Sequence, residues 1–343
     1  MTAFPTDRAR HLAPRSSDAP STMTFATLTA MWCRGDLAKR FPDHVSLKKT
    51  AAEDARRFCY LNAIRLPDGP TLGERRVVDI TLDDCEHVMT SLPPTAEASS
   101  TRRQYAQMIR RVLALAVYPM RIRETLPIPT GWLPRGRSDK AKAWIYPSED
   151  LALMQCTSVP LIRRLFFGFL AREGVRVSEA LGLSWSDVDI VRGVVKLDSN
   201  KTDDPRTWAL GADVVAALSA WRKLSGDASR IFPAAALGNR GDFAHNLREG
   251  LKLAGVVRAE LFVPQPNRLL LRAHDLRGTF VTLALAAGRT EAWVTDRTGH
   301  RSSAMIYNYK RSARTATELG LGWFASLDTA LPELADSALS AVQ

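Results

Sequence analysis

Residues 190–210 read IVRGVVKLDSNKTDDPRTWAL. A Val-rich run, Ile190–Leu197, and a second short apolar alternation, Thr207–Leu210, flank a polar interval, Asp198 to Pro205, that is rich in turn-forming Ser, Asn and Asp. Branched and aromatic side chains suit a half-buried pleated surface, and the polar interval closes the two runs into a hairpin. On both sides of this stretch the apolar residues return at three- and four-residue spacing, the pattern of helices with one buried face. The predicted fold class is therefore mostly α with a small β-sheet.

Working outward, Pro147-Ser148-Glu149-Asp150 marks a helix start with Ser148 as N-cap and acids in the first turn. Leu161–Arg172 is a strongly apolar helix halted at Gly174, and a short helix spans Val177–Leu183. Beyond the hairpin, helices are expected at Asp213–Leu224, Asp242–Leu253, Leu276–Ala287, Glu291–Thr298 and around Ala304–Lys310. These make a second domain over 147–314. A separate helical domain, 22–129, holds Phe25–Ala38, Lys48–Leu66 and Ser99–Ala116, punctuated by Pro67-Asp68-Gly69-Pro70. Residues 130–146, rich in Pro, Gly, Arg and Lys, form the linker. Residues 1–21 lack an apolar core and are expected to be a tail. No run approaches the roughly 18–20 apolar residues of a membrane span, so the expected location is cytoplasmic. In the segment 315–343, Leu319, Leu321, Trp323, Phe324 and Leu327 are apolar enough to dock, on a neighbouring copy or back on their own domain.

The four cysteines, Cys33, Cys59, Cys85 and Cys156, show no CxxC pair and no ligand-spaced His. They are expected to be buried thiols, with no structural metal. The charge says more. The chain carries a formal +11, and Arg102–Lys142 holds ten basic residues against Glu124 and Asp139, a net +8. Positive charge this concentrated favours a polyanion through counterion release. Arg102, Arg103, Arg110, Arg111, Arg135, Arg137, Lys140 and Lys142 are the candidate contacts for such a polyanion.

Four segments carry matched polar groups. In Gly174-Val175-Arg176-Val177-Ser178-Glu179, Arg176 and Glu179 lie one helical turn apart, and the carboxylate can orient the guanidinium. Lys201 stands at the hairpin tip. His274-Asp275-Leu276-Arg277 opens an apolar helix, where His274 and Arg277 share a face beside the positive helix end. Thr298-Gly299-His300 is followed nine residues on by Tyr309, within Tyr307-Asn308-Tyr309-Lys310-Arg311. Each alone fits a surface ion pair, a solvated lysine, a helix cap or a packing aromatic.

In this order they resemble the signature of the tyrosine recombinase (phage integrase) family: Arg in a Gly-x-Arg-x-Ser-Glu box, Lys on a hairpin, His-x-x-Arg, Gly-His, and Tyr nine residues later. The resemblance spans Tyr146 to Arg314. Thr298 stands where the family commonly has Leu, and Tyr307 offers a second tyrosine; the spacing from His300 favours Tyr309.

The resemblance implies a helical core-binding domain and a mixed α+β catalytic domain that transfer DNA strands without metal, nucleotide or other cofactor. It implies Arg176 and Arg277 as a clamp on phosphate oxygens, His300 as a further donor, and Tyr309 as nucleophile. It also implies His274 as proton acceptor and Lys201 as general acid. The implied partners are double-stranded DNA at specific sites, a homotetramer on DNA built from free monomers, and accessory DNA-bending or directionality factors. No GxxxxGK[ST] motif occurs. Within this reading, an integrase of a mobile element stands ahead of a chromosome-dimer resolvase. A type IB topoisomerase shares the chemistry, and a non-catalytic DNA-binding descendant is disfavoured because every catalytic position is filled.

Overall fold

The first helix, α1 (Phe25–Arg34), begins where Thr24 accepts a hydrogen bond from the Thr27 amide at 3.2 Å. The expected Phe25–Ala38 helix breaks at Gly35, whose φ of +81° turns the chain into the short α2 (Asp36–Arg40). Then come α3 (Ala51–Ala63), α4 (Leu82–Thr90) and α5 (Ser99–Val117). Helix α4 was not anticipated, although its start is a reciprocal cap between Thr81 and Asp84. Tyr105, Ile109, Val112 and Ala116 form the buried stripe of α5, within a core that includes Phe25, Leu28, Phe58 and Leu61.

This computed structural model describes residues 22–47, 51–136, 140–198, 205–226, 228–300 and 302–339. The expected tail 1–21, Arg137 and the hairpin tip with Lys201 lie outside the described residues. The chain divides into two compact units, Met1–Asp139 and Lys140–Gln343. Much of the expected linker is packed into one unit or the other. Trp132 and Leu133 lie on the first core, whereas Ala143 and Ile145 are buried in the second. Ala141 also exchanges backbone hydrogen bonds with Asn267 and Leu269, both at 2.9 Å. Apolar residues between the basic ones supplied this anchoring.

The second unit contains α6 (Pro147–Gln155), α7 (Leu161–Glu173), α8 (Val177–Gly182), β1 (Val188–Asp189), β2 (Val194–Leu197), β3 (Arg206–Ala209), α9 (Ala212–Ser225), α10 (Ala234–Leu237), α11 (Phe243–Leu253), α12 (Asp275–Ala286), α13 (Glu291–Thr298), α14 (Ser303–Glu318), α15 (Leu327–Ala330) and α16 (Pro332–Leu339). The cap of α6 is Tyr146, not Ser148. Pro147 takes the first helical position, which needs no amide hydrogen, and Glu149 accepts from the Tyr146 amide at 2.8 Å. The sheet is antiparallel in the order β1-β2-β3, with Val195 opposite Trp208. The expected strand Ile190–Leu197 is interrupted by a turn at Arg192-Gly193, which lets Val188–Asp189 fold back as a third strand. Helix α14 outruns the expected Ala304–Lys310 because Ala313 and Ala316 continue its buried face.

The segment after Arg314 lies on its own unit in this single chain. Phe324, Leu327, Leu331 and Leu334 join the second core, whereas Leu319 and Trp323 keep solvent exposure. Arg164, with no exposed surface, anchors it: the guanidinium pairs with Glu333 and donates to the carbonyls of Met154 (2.6 Å) and Val159 (2.7 Å). Arg172 donates to Asp150 and to the Ala325 carbonyl, both at 2.7 Å. Breaking such a buried site leaves carbonyls and a carboxylate without donors. Arg164→Met is therefore expected to destabilise the second unit by about 3 kcal/mol. Thermal melting checks this, and an unchanged transition would contradict it.

None of the cysteines forms a disulfide, but the expectation that all four are buried holds only for Cys85: Cys33 and Cys156 are partly buried and Cys59 is exposed on α3. Burial pushes the Cys85 thiol up to about 12. Among the described residues no helix is long and apolar enough to cross a membrane, and no cluster of His, Cys, Asp or Glu is placed to hold a metal ion.

Candidate active site

Helix α12 packs against α7, α13 and α14, and the ends of these elements assemble the site. Gly174 ends α7 in the left-handed conformation (φ +63°), where a side chain would strike the Phe280 ring. This exposes the Gly174 carbonyl to Arg277 Nη1, which donates at 2.7 Å. Arg277 Nη2 donates to the Thr298 carbonyl and lies 3.5 Å from His300 Nε2. One guanidinium, only 3% exposed, thus joins the ends of α7 and α13 from the first turn of α12. Burial, then repulsion from Arg176, lowers Arg277 to about 9, so it stays charged at neutral pH.

Arg176 enters from the start of α8. Its amide and its Nη1 donate to Glu179 at 2.8 and 2.5 Å, and its Nη2 reaches the Gly299 carbonyl at 3.4 Å. The expected orienting role of Glu179 thus has its geometry. Burial works against the Glu179 carboxylate, but the Arg176 amide and the charges of Arg206 and Arg176 hold its pKa below the usual range.

His300 is buried, and its Nδ1 lies 2.7 Å from Thr298 Oγ1. The Thr298 hydroxyl spends its hydrogen on the Val294 carbonyl at 2.6 Å, so towards His300 it accepts. Nδ1 therefore carries the imidazole hydrogen, and Nε2 is bare beside Arg277. Burial, then Arg277 and Arg176, pushes His300 down to about 4. Thr298→Val keeps the shape but removes the acceptor. We expect a loss of about 1–2 kcal/mol in stability and a changed His300 tautomer in ¹⁵N spectra, with Thr298→Ser close to wild type. Unchanged His300 signals in Thr298→Val would refute this.

Tyr309 projects from α14, half-buried against the small cluster of Phe280, Val281, Val294 and Ile306. Its ring lies 6.2 Å from that of His300, and Lys142 Nζ lies 5.8 Å from its centroid. Burial raises the phenol above its ordinary pKa, opposed by Arg277 and Arg272. Tyr307, in contrast, is 69% exposed. His274 stands at the N-cap position of α12 without a side-chain capping hydrogen bond, with one side in solvent. The protein on its inner side, then Arg277, holds its pKa below the ordinary imidazole value, with Arg272 and Lys142 adding to this.

The structure thus brings together Arg176, Glu179, Arg277 and His300, with His274 and Tyr309 alongside. Sequence reading missed three neighbours. Arg272 is clamped by Asp275 through Nε (3.0 Å) and Nη2 (2.7 Å), a link hinted at only by three-residue spacing. Thr298, noted only as standing where Leu is common, hydrogen-bonds to His300 Nδ1. Arg206 opens β3, where its inward face groups it with Trp208 and Glu179.

The candidate DNA contacts divide. Arg102 donates to the Met89 carbonyl at 2.6 Å, and Arg103 donates to Pro134, so both brace the first unit. Arg110 and Arg111 are exposed, with Arg111 over the Trp32 ring at 5.5 Å. Arg135 is exposed, Lys140 half-buried, and Lys142 exposed beside Tyr309.

A buried and a partly buried guanidinium and an imidazole stand around one turn with a tyrosine beside them, an arrangement chemically able to hold phosphate oxygens. Residues 143–315, half of the chain, match the phage integrase family profile. The chain belongs to that family and is a tyrosine recombinase. Among solved structures it is similar to the Tn1549 transposon integrase in complex with circular intermediate DNA, at 18% identity and TM-score 0.62 over 94% of this chain and 99% of that one. A lambda integrase dimer bound to a COC′ core site aligns at 17% identity and TM-score 0.61, over 89% of this chain and 81% of that one. A lambda integrase tetramer bound to a Holliday junction aligns at 16% and 0.59, over 87% and 83%. Identities this low show a shared fold. No curated protein matches the chain.

Proposed function

We propose that the chain is a site-specific recombinase that cuts and rejoins DNA through a 3′-phosphotyrosine at Tyr309, serving the integration of a mobile element. The observation that carries this reading is the convergence of Arg176, Arg277 and His300 on the Thr298–His300 turn, with Tyr309 beside them. In-line attack on a phosphodiester spreads negative charge over the non-bridging oxygens, and the two guanidiniums offer planar forks to them. His300 joins as a donor after Nε2 gains a proton, which an adjacent anion favours.

Tyr309 Oη forms the bond to phosphorus as the bond to the 5′-oxygen breaks. The phenol proton passes to a base, for which the neutral His274 is suited, and the leaving 5′-oxygen takes a proton from Lys201. The phosphotyrosine conserves the energy of the broken phosphodiester, so religation to a new 5′-hydroxyl needs no nucleotide. The similar lambda and Tn1549 integrases are bound to DNA, one lambda integrase as a tetramer on a Holliday junction, which supports double-stranded DNA as substrate and a tetramer as the working assembly, built from otherwise free monomers in this reading. Accessory bending or directionality factors and a cytoplasmic, nucleoid-associated location belong to the same reading. Exposed Arg110, Arg111, Arg135 and Lys142 are the proposed phosphate contacts. The test is incubation with nicked duplexes cut from the DNA flanking the gene. A protein–DNA band that survives a denaturing gel is expected, and DNA binding without such a band would refute the reading.

A further inference from the structure

Arg206, the first residue of β3, is 8% exposed. Its Nη2 lies 2.9 Å from Glu179 Oε2, and its guanidinium carbon lies 5.9 Å from the Trp208 ring centroid. Otherwise Nε, Nη1 and Nη2 make no hydrogen bond of good geometry among the described residues. A buried guanidinium so poorly matched is costly unless its charge has a use. The surroundings make room for it. A side chain at Gly299 would overlap Arg206 Nη1, so the glycine of the Gly-His pair both adopts a φ of +62° and admits this cation.

The consequence lies in the charges around the Thr298–His300 turn. Among the described residues Glu179 is the carboxylate that meets these cations, shared by Arg176 and Arg206. Arg277 adds a third cation, His300 is neutral near pH 7, and Asp275 and Arg272 cancel one another. Among the described residues, these three guanidiniums against one carboxylate leave an excess of two positive charges. Without Arg206 the excess is one. A phosphodiester carries one negative charge, and the attacking phenolate brings a second into the five-coordinate transition state. Arg206 therefore adds one positive charge to the pocket, which stabilises the doubly charged transition state more than the singly charged ground state.

We propose that Arg206 is a positioning residue for strand cleavage, which neutralises Glu179 from behind so that the positive charge of Arg176 is fully available to the developing phosphorane. The proposal rests on the tyrosine-nucleophile reading above. Its signature is a loss in the rate of cleavage without a matching loss in DNA affinity.

The experiment measures single-turnover covalent-complex formation and equilibrium binding on the same nicked duplexes, for wild type, Arg206→Met and Arg206→Lys. Methionine fills the buried volume without charge, and lysine restores the charge without the fork. Arg206→Met is expected to cleave about 100-fold more slowly while binding within about threefold of wild type. Arg206→Lys is expected to recover at least about tenfold of that loss. Unchanged binding certifies the folded state of each variant. If Arg206→Met does not fold, Arg206→Lys decides by itself: slower cleavage with normal binding supports the role, and equal falls in rate and binding overturn it. Cleavage by Arg206→Met within about threefold of wild type, or rate and affinity falling together, also overturns the proposal while leaving the recombinase reading intact. A wild type that binds the duplexes but forms no covalent complex overturns both.

Discussion

Tyr309→Phe is expected to lower covalent-complex formation by about 10⁴-fold or more, to background, while Tyr307→Phe stays within about threefold of wild type. The two tyrosines differ by a single hydroxyl test, and helix geometry separates them. Successive residues of α14 turn by about 100°, so side chains two positions apart face nearly opposite ways. Tyr309 faces the Phe280 cluster and His300, under the charges of Arg277 and Arg272. Tyr307 faces solvent near Lys310, whose Nζ lies 5.7 Å from its ring. Its phenol has neither the fixed cations nor the dry surroundings the reaction needs. DNA affinity of Tyr309→Phe is expected to be normal, because the hydroxyl bears no charge at neutral pH.

The second large effect concerns Arg277. Replacement by Gln removes the most buried cation of the pocket and one of the hydrogen bonds that join α7 to α13. Cleavage is expected to fall by about 10³-fold, with DNA affinity reduced no more than about threefold because phosphate contacts elsewhere dominate binding. Arg277→Lys is expected to do little better. An ammonium keeps the charge but cannot span the Gly174 carbonyl, the Thr298 carbonyl and His300 from one rigid plane. Parallel single-turnover and gel-shift measurements check both variants, and near-wild-type cleavage by Arg277→Lys would show that charge alone suffices.

Much of this was legible in the sequence because it rests on local rules. The strand pair follows from branched and aromatic residues around a polar interval, and Leu161–Glu173 from an apolar run ended by Gly174. Arg176 with Glu179, and His274 with Arg277, were legible because one helical turn sets their spacing. Other features depend on what the chain meets in space. The break at Gly35 needs a backbone angle that the apolar period does not reveal. Strand β1 exists because Arg192-Gly193 turns the chain, and Ser148 lost the cap position to the residue before Pro147. Arg102 and Arg103 belong to a basic run, yet each is committed to a backbone carbonyl of its own unit. Arg164 and Arg206 carried no signal at all. A charged residue within an apolar pattern reads as surface until the carboxylate that meets it, Glu333 or Glu179, is brought from a distant part of the chain.

The central claim is a covalent bond between Tyr309 and a DNA 3′-phosphate, and its most direct measurement is the adduct itself. The trapped complex is digested with protease and nuclease, and the nucleotide-bearing peptide is sequenced by mass spectrometry. The released DNA end is separately labelled with polynucleotide kinase without prior phosphatase treatment. The account predicts the nucleotide on Tyr309 and a free 5′-hydroxyl that accepts the label. A nucleotide on Tyr307 or another residue, or a released end already carrying a 5′-phosphate, would contradict it.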